Sequence, residues 1–323
     1  MEYNSYINLV IEMEIKKVVV AGGGVLGSQI AYQSAFCGFD VTVWLRSEGS
    51  IERAKPKFER LLNIYLATME QMKTDKSAYC RGFSKTPDLT DEEIDALKEQ
   101  AQKAFDSLTL TTSYEEAADD ADLVIEAIAE DPEQKIAFYE ELAKYLPEKT
   151  VVVTNSSTLL PSQFAEHTGR PEKYLAFHFA NNIWAQNTAE VMPHSGTEQE
   201  YFDTIVQFAE DINMVPIKVL KEQPGYVLNS LLVPFLSAGQ ALWAEEVADP
   251  ETIDLTWRLA TGAPNGPFQI LDVVGLVTAY NIIIMDPRSK DPETTQGKIA
   301  AKLKEKIDKG ETGINAGKGF YEY

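Results

Sequence analysis

The chain has 323 residues, enough for a nucleotide-binding domain and a smaller second domain, and its 44% hydrophobic content is that of an ordinary globular core. A formal net charge of −21 argues against nucleic acid or an anionic membrane surface as partner, and any phosphate-bearing ligand must find a local exception to the acidic field. Cys37 and Cys80 lie in no C-x-x-C spacing and read as reduced thiols of a cytoplasmic protein, and no Cys/His spacing supports a metal.

The first seventeen residues, MEYNSYINLVIEMEIKK, carry acids and no basic n-region, so they do not read as a secretory signal. Met13 is the more natural start, which makes residues 1–12 an extension. No apolar run approaches the ~18–20 residues that cross a bilayer. Lys16–Ala21 is a short β-branched strand feeding Gly22-Gly23-Gly24-Val25-Leu26-Gly27, with a helix expected over Ser28–Cys37 and Gly38 as its stop. This is G-x-G-x-x-G in its strand–helix context. Gly22 permits the tight turn, Gly24 lets backbone approach a pyrophosphate, and Gly27 lets helix and strand pack closely.

A second strand, Asp40–Leu45, ends where an acid would bond a ribose 2′-hydroxyl. Leu45 stands there instead, followed by Arg46 and Ser47, which suits a 2′-phosphate, and hence NADP(H), better than NAD(H). Alternatively, Arg46 stacks on the adenine or faces solvent. Residues 51–108 read as a helical insertion. Its basic run of Arg53, Lys55, Lys57 and Arg60 either meets phosphates of a long substrate or, as charge runs more often do, forms a solvated face.

Strands follow at Ala121–Ala127 and Thr150–Thr154, around a helix at Gln134–Tyr145. Such alternation predicts an α/β fold, a Rossmann-type doubly wound, mostly parallel sheet, with ligands beyond the carboxyl ends of its strands, where Glu130 and Asn155–Ser157 fall. The sheet continues through Tyr174–Phe179, Ala189–Met192 and Val215–Leu220. From residue 222 the pattern turns helical, predicting a smaller all-helical domain over 222–323 after a nucleotide-binding domain over 1–221. Asn229 stands close to the start of its first helix.

His178 sits inside an aromatic strand, where an idle imidazole would still need partners; Glu190, Ser157 and Asn229 supply polar company. His167 and His194 read as surface residues. With no G-x-S-x-G elbow, the parts suit hydride transfer at a carbonyl or alcohol carbon, the cofactor carrying the hard step.

Taken together, GVLGSQIA, VIEAIAED, TNSSTLLPS, HFANN, Glu190 twelve residues after His178, and GYVLNSLLVPFL resemble the 3-hydroxyacyl-CoA dehydrogenases, from Lys16 to the terminal GKGFYEY. NSSTLLPS, NTAEVM, ADPETIDLTWRLATGAPNGPF and GLVTAYNI look most like the diketoreductase-type members, which reduce β-keto and β,δ-diketo esters; λ-crystallin, a gulonate dehydrogenase, is a more distant relative. The resemblance implies His178 as general acid in reduction and base in oxidation, and Glu190 as the group that holds its tautomer. Ser157 and Asn229 would bind the substrate oxygen, and Glu130, Lys135 and Asn181 would contact the nicotinamide half of NAD(P)H. It also implies a homodimer paired through the helical domain and a small-molecule substrate. The family's usual His-Phe-Phe-Asn-Pro is here His178-Phe179-Ala180-Asn181-Asn182, which leaves CoA thioester, free ester and sugar acid open.

Overall fold

The computed structural model describes residues 13–323, and the extension expected over residues 1–12 lies outside them. The chain divides into two compact units between Val227 and Leu228.

The first unit runs β1 (Lys17–Ala21), α1 (Val25–Phe36), β2 (Asp40–Trp44), α2 (Glu48–Met72), α3 (Asp91–Ser107), β3 (Thr109–Thr111), α4 (Tyr114–Ala118), β4 (Leu123–Glu126), α5 (Pro132–Leu142), β5 (Val151–Thr154), β6 (Tyr174–Phe179), β7 (Thr188–Pro193), α6 (Gln199–Asp211) and β8 (Val215–Lys218). Its eight strands form one sheet in the order β3-β2-β1-β4-β5-β6-β7-β8. Every neighbouring pair is parallel except β6 with β7.

The strands read as unbroken apolar runs because both sheet faces are covered. Val18 and Val20 pack with Ile30, Phe58, Tyr65 and Ile205 on one face, while Val19 and Ala21 pack with Ala117, Phe138 and Leu142 on the other. This is the doubly wound sheet that the alternation implies. After β3 the chain crosses to the other side of β1, so the carboxyl ends of β1 and β4 flank the switch point where such sheets bind ligands.

One local expectation is corrected, and one strand has no counterpart in the sequence pattern. Helix α1 begins at Val25 rather than Ser28, with Gly24 in extended conformation as its N-cap, so Gly27 lies in the first turn. Strand β3, three residues long, escapes a period-2 reading because it is too short to show alternation.

The second unit contains α7 (Leu228–Ala244), α8 (Pro250–Thr261), α9 (Pro267–Val274), α10 (Leu276–Ile283) and α11 (Thr295–Asp308) around Leu236, Phe268, Leu271, Leu276 and Leu303. Buried Asp272 accepts the backbone N–H groups of Phe320 and Tyr321, fastening the chain's end to α9. No helix among the described residues is long and apolar enough to cross a membrane.

Candidate active site

At Gly22 and Gly27 the glycine turn after β1 is hemmed in by backbone. Gly22 has φ +117°, and a Cβ there would stand 2.4 Å from the Ala127 carbonyl oxygen; one on Gly27 would stand 2.2 Å from that of Gly22. A Cβ on Gly24 would meet nothing within 4 Å. The turn therefore packs against the protein on one side and opens on the other, with an acid-free first turn of α1 beneath it. That is the arrangement a pyrophosphate requires.

A cleft of about 420 Å³ lies on this side, lined by Gly24, Val25, Leu26, Gly27, Glu130, Lys135, Asn155 and Ser157 among others. Gly22, Arg46, Ser47 and Asn181 do not line it. Asn181 is exposed in the turn after β6. Arg46 reaches the Gln134 amide oxygen at 3.2 Å, and Leu45 is buried against Ala54 and the glycine turn. The basic run is mostly solvated: Lys55 pairs with Glu52 at 2.6 Å, Arg53 donates to Ser50, and Arg60 is exposed. Lys57 alone turns inward, donating to the Gly23 carbonyl at 2.6 Å.

Beneath the cleft is a buried polar cluster that the sequence reading missed. Glu126 ends β4 with no exposed surface and accepts from Lys135 Nζ (2.6 Å), the Ile128 N–H (2.8 Å), Tyr139 Oη (2.7 Å) and Thr154 Oγ1 (2.7 Å). The available signal was a single carboxylate inside the apolar run ADLVIEA, which must be paired if buried. Lys135 also stands 3.6 Å from Glu130. Glu130 in turn accepts from Ser156 Oγ (2.6 Å), Thr158 Oγ1 (2.9 Å) and the N–H groups of Ser157 (3.1 Å) and Thr158 (2.9 Å). Burial works to raise its pKa, but the hydrogen bonds from Ser156 and Thr158 and the charge of Lys135 outweigh it, holding the carboxyl below its ordinary value.

The segment so held presents Ser157 to the imidazole. Antiparallel pairing of β6 and β7 sets His178 directly opposite Glu190. Both are buried, and Nδ1 of the imidazole lies 2.9 Å from Glu190 Oε2. A carboxylate can only accept, so Nδ1 carries a proton and Nε2 is left for Ser157 Oγ, 3.0 Å away. The second carboxylate oxygen of Glu190 accepts the Val227 N–H at 2.9 Å. The structure thus joins Ser157, His178 and Glu190 in one line whose outer end reaches the cleft. Asn155 supports it from behind, its Oδ1 accepting the Phe179 N–H at 3.1 Å. Asn229 is half-buried in the first turn of α7, in the second unit.

The other histidines divide. His167 meets Glu140 at the surface, 2.8 Å away. His194 corrects the expectation: it is buried, its Nε2 lying 2.9 Å from the Pro171 carbonyl while Nδ1 accepts the Gly196 N–H. Among the described residues no His/Cys/Asp/Glu group could hold a metal.

Comparison with known proteins agrees with this architecture. The family model for the NAD binding domain of 3-hydroxyacyl-CoA dehydrogenase matches residues 17–223, and that for its C-terminal domain matches residues 225–323. The chain belongs to the 3-hydroxyacyl-CoA dehydrogenase family. Family membership makes it an oxidoreductase that acts on a hydroxyl group with NAD(H). The mitochondrial hydroxyacyl-coenzyme A dehydrogenase of Rattus norvegicus is 29% identical over 96% of this chain and 91% of its own length. The 3-hydroxybutyryl-CoA dehydrogenase of Clostridioides difficile is 29% identical over 95% and 99%. Among solved structures, a diketoreductase acting on dicarbonyl compounds is 45% identical with a TM-score of 0.82, over 96% of this chain and 99% of that one.

Proposed function

We propose that this dehydrogenase interconverts a 3-hydroxyacyl and a 3-ketoacyl compound, with His178 as the proton-transfer group. The observation that carries the reading is the Ser157–His178–Glu190 line, at 3.0 and 2.9 Å, reaching a cleft bordered by the glycine turn. When bound, the nicotinamide supplies or accepts the hydride. In reduction His178 gives its Nε2 proton to the forming alkoxide, while Glu190 holds Nδ1–H and fixes the ring. In oxidation the same nitrogen accepts the hydroxyl proton. Ser157 binds the substrate oxygen; Asn229, in the second unit, is the residue to which the family resemblance gives the same role. Glu130, Lys135 and Asn155 shape the nicotinamide end of the cleft, and Asn181 contacts the cofactor after β6. The free thiols of Cys37 and Cys80 suit a reducing, cytoplasmic setting.

Beside the NAD(H) that family membership implies, the residues after β2 favour NADP(H). Leu45, buried at the end of β2, offers a ribose 2′-hydroxyl no acceptor, whereas beyond it Arg46 is exposed and Ser47, Ser50 and Arg53 are linked by hydrogen bonds of 3.0 and 2.9 Å. A homodimer is the arrangement that the second unit's exposed Leu231, Leu255, Leu259, Val273, Val277 and Ile282 support.

A second reading, reduction of free β-keto or diketo esters, is favoured by the 45% identity to a diketoreductase and by Ala180 and Asn182 in the turn after His178. Initial rates with acetoacetyl-CoA and ethyl acetoacetate, each with NADH and NADPH, separate the two. The leading reading expects faster turnover of the thioester and a lower KM for NADPH. Faster turnover of the ester selects the second, and no turnover of either refutes both.

A further inference from the structure

The last residues of the first unit are built onto the acid–base pair. The Tyr226 ring lies parallel to the His178 imidazole, with centroids 4.5 Å apart and planes 11° from each other. It is buried, and its hydroxyl donates to the Ser156 carbonyl at 2.7 Å, one residue before Ser157. The backbone reaches this position through two left-handed residues, Gly225 at φ +79° and Tyr226 itself at φ +53°. A bulky side chain seldom adopts that conformation unless its surroundings hold it there. The next residue supplies the amide that binds Glu190.

We propose that Tyr226 is a positioning residue for the acid–base step, holding the imidazole through its ring face. Ser157 and Glu190 fix the two nitrogens within the imidazole plane but resist tilting out of it only weakly. A parallel ring at 4.5 Å supplies that missing restraint. The negative face of the phenol also favours the imidazolium over the neutral ring. Tyr226 acts through its ring rather than by titrating, since burial and the carboxylates of Glu130, Glu190, Glu126 and Glu222 push its hydroxyl far above the ordinary range. These four carboxylates are the charges that bear on the Tyr226 hydroxyl, and Lys135 is paired with Glu126 and stands 3.6 Å from Glu130.

This inference rests on His178 being the proton-transfer group, so the test includes that residue. The measurement is kcat/KM against pH for reduction of acetoacetyl-CoA or ethyl acetoacetate, whichever the unaltered enzyme turns over, using the full-length chain. Protonated imidazole is the active form in reduction. Tyr226→Leu is expected to move the alkaline limb to lower pH by about one unit or more, the size of a desolvated cation–π contribution, and to lower kcat roughly tenfold. Tyr226→Phe keeps the ring and should keep the limb. If the leucine variant does not fold, Tyr226→Met reads the same limb with an unbranched chain. An unmoved limb in the ring-free variant, or equal shifts in the leucine and phenylalanine variants, overturns the proposal. Substantial activity in His178→Gln would instead overturn the reading beneath it, while an inactive His178→Gln beside an unaltered ring-free variant sinks this inference alone.

Discussion

Glu126, Lys135 and Glu130 show how single residues place the chemistry without joining it. A buried ion pair contributes little net stability, because desolvation offsets the attraction. Its effect here is geometric: Glu126 ties β4, β5 and α5 together through four donors, and Lys135 extends the cluster toward Glu130. Glu130 then fixes residues 156–158. Because its folded pKa is depressed, the stabilisation is complete above the ordinary carboxylate value of 4.5 and disappears as pH falls through the lower folded value. The stability gap between the native chain and Glu130→Gln should therefore be present at pH 7 and shrink at about pH 3. Urea unfolding at both pH values measures it, and a gap that grows in acid would contradict the assignment.

Among the elements, the β1–α1–β2 unit was the most legible, because glycine spacing, a β-branched run and a stop at Gly38 all depend on local backbone sterics. The first helix nonetheless begins three residues early, since Gly27 is required inside the helix for its approach to the Gly22 carbonyl. Gly27→Ala must open that turn, an overpacking cost of ~1–3 kcal/mol that would fall on cofactor affinity as roughly a tenfold rise in Kd. NADH and NADPH fluorescence titration reads it, and an unchanged Kd would mean the turn yields freely. The facing of His178 and Glu190 was less legible. Twelve residues of spacing identify a pair, but only the antiparallel register after the 180–187 turn puts them opposite each other. Tyr226 went unread because its partner at Ser156 lies 70 residues away, and Glu126 because only the packing of α5 and β5 against β4 gathers its donors from Lys135, Tyr139 and Thr154.

At the scale of the whole molecule, the alternation of strands and helices and the later helical run specified the architecture, and the quoted motifs specified the family. What they leave open is substrate and cofactor choice, because discrimination in an apolar pocket turns on only ~1–3 kcal/mol and a few side chains. The central claim concerns a part that either substrate would use: a neutral-to-charged imidazole held by Glu190 and aimed through Ser157. The most direct test is the turnover of His178→Gln, measured as NAD(P)H consumption with a 3-keto substrate alongside a cofactor titration. Glutamine keeps a polar side chain but cannot deliver the proton, so kcat should fall by ~10²–10⁴-fold with cofactor Kd unchanged. A variant turning over within a few-fold of the native enzyme would contradict the account.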